Sequence, residues 1–128
     1  MLEEALSPKI IFPNYDVVMV DECQDLDRAQ YKIIAKVAAG VFQGRGLPRK
    51  GGTKLLYLAG DDDQAIFGWK GSNVNFFKKW PCPEENKKPY KLNITYRLPK
   101  KIYNLANEII SHIPSHRREV KNYTTIKE

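Results

Sequence analysis

Residues 16–25 read Asp16-Val17-Val18-Met19-Val20-Asp21-Glu22-Cys23-Gln24-Asp25, a run of four apolar residues, three of them valine, that ends on a pair of acids. β-Branched side chains suit a pleated strand, and a short unbroken apolar run is the pattern of a strand covered on both faces, as in parallel sheets. Residues 16–20 therefore read as a buried strand. A helix is expected next: Asp25 can act as N-cap, Asp27 suits the positive end of the helix dipole, and Tyr31, Ile34, Ala35 and Ala38 recur on one face. Gly40 is a natural stop, and residues 40–53, rich in glycine and bases, read as an exposed loop. A second apolar run, Lys54-Leu55-Leu56-Tyr57-Leu58-Ala59-Gly60, then ends in Asp61-Asp62-Asp63 and reads as a second buried strand. Strand, helix and strand with such ends form a βαβ unit, so the expected fold class is α/β, a parallel sheet flanked by helices.

Beyond this unit the signals are more scattered. Residues 74–80 suit one or two helical turns, and Pro81, Pro83 and Pro89 enclose a polar linker. Residues 91–95 read as a short strand. The clearest helix is Pro99–Ile113, where Ile102, Leu105, Ala106, Ile109, Ile110 and Ile113 repeat at helical spacing, Pro99 suits the first helical position and Pro114 ends it. Residues 115–128 are polar and carry no pattern.

The 128 residues fit one small domain on length alone, and 42% hydrophobic with 28% charged excludes a largely disordered chain. No run approaches the roughly 18 apolar residues of a membrane span, and the start, MLEEALSPKI, is not expected to be a signal peptide. Cys23 and Cys82 belong to no CxxC pair, and Pro114 separates His112 from His116, so neither a disulfide framework nor a nitrogen or sulfur metal site is suggested. A reducing, cytoplasmic setting is expected. The net charge of +6 is unevenly placed: residues 1–77 carry 9 basic and 10 acidic groups, residues 78–128 carry 12 and 5. A basic second half suits a polyanionic partner or a solvated surface.

Four segments carry candidate chemistry. Asp21-Glu22-Cys23-Gln24-Asp25 lies where ligands bind in open α/β sheets, beyond the carboxyl end of a strand. Adjacent acids there resemble a Walker B arrangement, one carboxylate for a hydrated Mg²⁺ and the next for a water, or they simply cap the following helix. Gly60-Asp61-Asp62-Asp63-Gln64 cannot be a calcium loop, because Ile66 and Ser72 stand where an EF-hand needs Gly and Glu. On a neighbouring parallel strand it would share a sheet edge with Asp21 and Glu22, and so many carboxylates would repel without a cation or partner. Phe67-Gly68-Trp69-Lys70-Gly71 offers aromatic faces beside a base, as in single-strand nucleic-acid platforms, or contributes two aromatic side chains to the core. Tyr96-Arg97 precedes the long helix, where an arginine could reach a phosphate or merely face solvent.

Taken in order, VMVDECQDLDRAQYKII, LYLAGDDDQAIFGWKGS and LNITYRLPKKIYNLANEII resemble motifs II, III and IV of the UvrD/Rep family of superfamily 1 DNA helicases, over residues 18 to 110. The resemblance implies RecA-like motor domains: residues 1–90 as the last part of the first and residues 91–128 as the beginning of the second. It implies that Asp21 binds Mg²⁺, that Glu22 is the base activating water for ATP hydrolysis, and that Gln64 senses the γ-phosphate. Phe67 and Trp69, with Lys70, would contact single-stranded DNA or a duplex/single-strand junction; Tyr96 would lie against adenine and Arg97 would contact the γ-phosphate. Lys70 stands for the family's arginine, Ala65 for a serine, and Leu98-Pro99 for a polar helix start. The phosphate-cradling P-loop, GxxxxGK[ST], does not occur in the sequence: Gly46-Leu47-Pro48-Arg49-Lys50-Gly51 is followed by Gly52-Thr53. The expected whole is a 3′→5′ ATP-dependent translocase whose remaining chain supplies the P-loop and the rest of the second motor domain. This piece would be inactive alone. The alternative is a non-catalytic, helicase-derived module that binds DNA or protein.

Overall fold

The computed structural model describes residues 2–38, 53–114 and 118–127, which form two compact units, residues 1–87 and 88–128. The predicted loop over 40–53 lies outside the described residues except for Thr53, as does the stop at Gly40.

The first unit opens with a short helix, α1 (Leu2–Ala5), and a strand, β1 (Val17–Val20). A 3₁₀ turn at Cys23–Asp25 leads into α2 (Arg28–Val37), and β2 (Leu55–Leu58) follows. The strands pair in parallel with Val17 opposite Leu55 and Val20 opposite Leu58, which makes the βαβ unit. At the entrance to the ladder, the exposed pair Lys54–Asp16 closes at 2.8 Å.

The N-cap of α2 is Asp27, two residues later than expected. Its carboxylate accepts from the N–H groups of Ala29 and Gln30 at 2.7 and 2.8 Å, and Gln30 Oε1 accepts from Asp27 N–H at 3.0 Å. This reciprocal capping box satisfies donors that the helix leaves unpaired. Asp25 is instead taken up by the 3₁₀ turn, and Leu26, buried and extended, separates the two elements while its carbonyl accepts from Asn73 N–H at 3.0 Å. Lys36, in the last turn of α2, donates to the carbonyls of Ala5 and Ser7 at 3.0 and 2.7 Å. Tyr31 stacks on Phe76 of α3 (Asn75–Lys78) with centroids 4.6 Å apart and meets the edge of Trp80 at 5.2 Å.

Neither strand is covered on both faces, contrary to the expectation from the apolar runs. Val18, Val20, Leu56 and Leu58 are half-buried, whereas Val17, Met19, Leu55 and Tyr57 share an exposed face. No described element covers that face. The buried apolar side chains among the described residues are Cys23, Leu26, Ala38 and Trp80.

The linker between Pro81 and Pro89 contains a 3₁₀ turn at Glu84–Asn86. In the second unit β3 (Ile94–Pro99) runs into α4 (Lys100–Ser111), and β4 (Thr124–Lys127) pairs with β3 in parallel. The strand begins three residues after the predicted start and absorbs Tyr96, Arg97 and Pro99. Pro99 is therefore the extended N-cap of α4 rather than its first helical residue. Thr95 pairs with Thr125 and Pro99 with Lys127, so Tyr96–Leu98 form an irregularity opposite the single residue Ile126. The segment left without a pattern supplies β4. Ile102, Leu105, Ile109 and Ile113 of the predicted apolar stripe are exposed, because no described element of this unit covers that side of the helix. Among the described residues no helix is long and apolar enough to cross a membrane.

Candidate functional site

Because β1 and β2 are parallel and end at paired residues, Val20 and Leu58, both chains leave the sheet on one edge. The exits are tied by backbone: Ala59 N–H donates to Val20 C=O and Cys23 N–H donates to Ala59 C=O, both at 2.9 Å. To make this return so soon after the strand, Glu22 adopts φ 52°, ψ 39°, the left-handed region that non-glycine residues seldom occupy. The turn sends Cys23 inward. Its thiol is fully buried, donates to Val20 C=O at 3.3 Å, and is pushed up by burial to about 11.

The acids of the two exits meet through an amide. Gln24, only 2% exposed, donates from Nε2 to Glu22 Oε2 at 2.6 Å and accepts at Oε1 from Asp61 N–H at 3.1 Å. Asp61 in turn accepts from Asp63 N–H at 3.1 Å and from Gln64 Nε2 at 2.8 Å. Asp62, whose side chain is 3% exposed, pairs with Lys78 Nζ at 3.4 Å. Asp61, Asp62 and Asp63 offer oxygens within 4.8 Å of one another. The shared edge anticipated from the sequence is present, but its repulsion is relieved by protein donors, the amides of Gln24 and Gln64 and the ammonium of Lys78. Asp21 sits outside this web on the exposed side, its Oδ1 accepting from Glu22 N–H at 2.9 Å.

Gly60 makes the crossing possible. A Cβ there would lie 2.8 Å from Gln24 Oε1 and 3.2 Å from the backbone nitrogens of Cys23 and Gln24. Gln24 and Gly60 lie inside the candidate segments read from the sequence but had no role of their own there, and Lys78 lies outside those segments. A glutamine flanked by acids beyond a strand was the available signal for the first.

The chain then forms a 3₁₀ turn at Gly68–Lys70, closed by Gly71 at φ 91°, where a side chain would be strained. Trp69 is 78% exposed, which excludes it from the core; Trp80 takes that place at 6%. Phe67 is half-buried. Lys70 Nζ lies 4.7 Å from the Phe67 ring centre and 4.9 Å from that of Trp69, a cation shared by two aromatic faces. In the second unit, Tyr96 and Arg97 are exposed on the irregular part of β3.

Residues 9–81 match the model of the UvrD/REP helicase N-terminal domain. The chain is 34% identical over 99 residues to the ATP-dependent DNA helicase PcrA of Staphylococcus epidermidis and 33% identical over 99 residues to DNA helicase II of Haemophilus influenzae. It is 37% identical over 102 residues to PcrA of Staphylococcus aureus. Each match takes in 77% of this chain but 12% of the relative, so the chain spans about one eighth of the length of the curated relatives it matches. With both acid-bearing strand exits inside the matched segment, and the match covering more than half of the residues, the chain belongs to the UvrD/REP helicase N-terminal domain family.

Proposed function

We propose that this chain is part of an ATP-dependent DNA helicase of UvrD/Rep type, a 3′→5′ translocase that couples ATP hydrolysis to movement on single-stranded DNA. Residues 1–90 would be the closing part of its first RecA-like domain and residues 91–128 the opening of its second. The observation that carries this reading is the joining of Glu22 to the Asp61–Gln64 segment through one buried amide. Two acidic turns on one sheet edge, wired together, are what a site needs if it is to hold a catalytic carboxylate beside a γ-phosphate sensor.

The residues present fit a hydrated Mg²⁺. Asp21 is exposed and engages a local donor through Oδ1, so Oδ2 is available to an ion that keeps most of its waters. Bound there, Mg²⁺ would supply charge neutralisation for phosphate oxygens. Glu22 is held through Oε2, so Oε1 is the atom that accepts the proton of an attacking water. Gln64, exposed and steadied by Asp61, reports on the γ-phosphate. Trp69 and Phe67 stack on bases, with Lys70 as the neighbouring cation. Tyr96 lies against adenine and Arg97 contacts the γ-phosphate; both rest on the motif resemblance. Since GxxxxGK[ST] does not occur in these 128 residues, the phosphate cradle must come from other chain, and the isolated piece is expected to hydrolyse no ATP.

In the complete enzyme, Glu22→Gln is expected to lower ATP turnover about 10²- to 10⁴-fold while nucleotide binding persists. Unchanged turnover would remove Glu22 from the role. Exposure of Trp69 beside Lys70 favours a second reading, a non-catalytic DNA-binding module. Single-strand binding without turnover in any longer form of the chain would select it.

A further inference from the structure

We infer that Gln24 is a positioning residue, which sets the carboxylate of Glu22 and ties that setting to the Gly60–Gln64 segment. The inference rests on the reading of Glu22 as the base. Glu22 is held in an unfavourable backbone conformation, and its side chain has one described partner, Gln24 Nε2 at 2.6 Å. A long carboxylate on a left-handed turn would otherwise sample several rotamers, and loss of alignment by an ångström is costly to a general base. Gln24 is itself fixed from the far side: its Oε1 takes the Asp61 N–H, and the residue is only 2% exposed, so the amide cannot rotate without leaving a buried polar atom unpaired.

Gly60 completes the device. A methyl group at this position would lie 2.8 Å from the Gln24 oxygen, so the amide occupies space that only glycine leaves open. Asp61, whose N–H holds Gln24, also holds Gln64 Nε2. Any shift of Gln64 therefore reaches Glu22 through three hydrogen bonds, by way of Asp61 and the Gln24 amide. A glutamine suits this task because it is donor and acceptor at once.

The test uses the complete helicase chain carrying this segment, with Glu22→Gln as the reference. Gln24→Met removes the donor to Glu22 with a neutral side chain of similar length, so no second carboxylate is buried against Glu22, and its cost in stability is the acceptor withdrawn from Asp61 N–H. Its kcat for DNA-stimulated ATP hydrolysis, per folded molecule by circular dichroism, should fall about 10- to 100-fold, with nucleotide Kd within twofold. Gly60→Ala should reproduce the loss from the opposite strand, and the double variant should be no worse than the poorer single one. If Glu22→Gln collapses turnover while Gln24→Met stays within twofold of the parent, positioning by Gln24 is overturned and the base stands. Positioning is likewise overturned if Gln24→Leu loses activity only in proportion to lost folded protein. If Glu22→Gln itself is fully active, the base reading falls and this inference falls with it.

Discussion

Trp69 separates a binding platform from a core residue. The indole is 78% exposed and its described ring partner is the Lys70 ammonium, 4.9 Å from the ring centre. Removing it by Trp69→Ala takes little packing from the fold. Exposed substitutions usually change stability by up to about 0.5 kcal/mol, and an exposed cation–π contact contributes about 0.5–1 kcal/mol. The expected destabilisation is therefore at most about 1.5 kcal/mol on adding those two ranges. If bases stack on the ring, the loss in single-strand affinity should be about 1–3 kcal/mol, or roughly 5- to 150-fold in Kd. Anisotropy of a labelled oligothymidine measures the second quantity, and thermal unfolding by circular dichroism the first. Trp80→Ala supplies the contrast: at 6% exposure, against Tyr31, it should cost about 3–5 kcal/mol of stability. An affinity unmoved within twofold in Trp69→Ala, with a melting temperature lowered as far as in Trp80→Ala, would refute the assignment of the platform.

Two further outcomes follow from the geometry. Asp27→Ala removes the one oxygen, Oδ1, that accepts from both capping N–H groups of α2 and should cost about 1 kcal/mol by denaturant unfolding, whereas Asp25→Ala should leave the helix cap intact; equal losses would mean that the cap is misassigned. The Cys23 thiol, pushed up to about 11, is neutral at pH 8 and buried, so a thiol reagent should label Cys82 in the folded chain and Cys23 only on unfolding. Because its folded value is raised, the neutral thiol's contribution to stability is fully present below the ordinary thiol value. It is lost as pH rises from there toward about 11, since the unfolded thiol ionises first. Fast labelling of Cys23 at pH 8 in the folded chain would contradict the burial.

What the sequence made legible was local. The valine run before Asp21-Glu22 marked β1, the leucine run before Asp61 marked β2, and the shared exit edge followed from the βαβ rule. The cap of α2 was misplaced because Asp25 and Asp27 both have the right chemistry; the buried Leu26 between them, held by Asn73, decides which one starts the helix. Gln24 lay in the first candidate segment without a role, because glutamine is ordinarily exposed and its burial depends on Gly60, which lies 36 positions away in the chain. The strand role of Tyr96-Arg97 and the existence of β4 were equally hidden, since Thr124-Thr125-Ile126-Lys127 has no strong pattern and becomes a strand only by pairing with β3. Trp69 and Trp80 are the same residue type in similar company, and only tertiary structure tells the exposed one from the core one.

The uncovered face of β1 and β2 has a thermodynamic consequence. Val17, Met19, Leu55 and Tyr57 are wet before unfolding begins, as is much of the isoleucine and leucine stripe on α4. Unfolding therefore hydrates little new hydrocarbon at these positions, and newly hydrated hydrocarbon is what raises heat capacity. The heat-capacity increment of this chain should fall below the ~12–15 cal/mol/K per residue usual for globular domains. Its urea dependence should be correspondingly shallow. Its stability should then change little with temperature, and melting should spread over a wide range instead of breaking sharply.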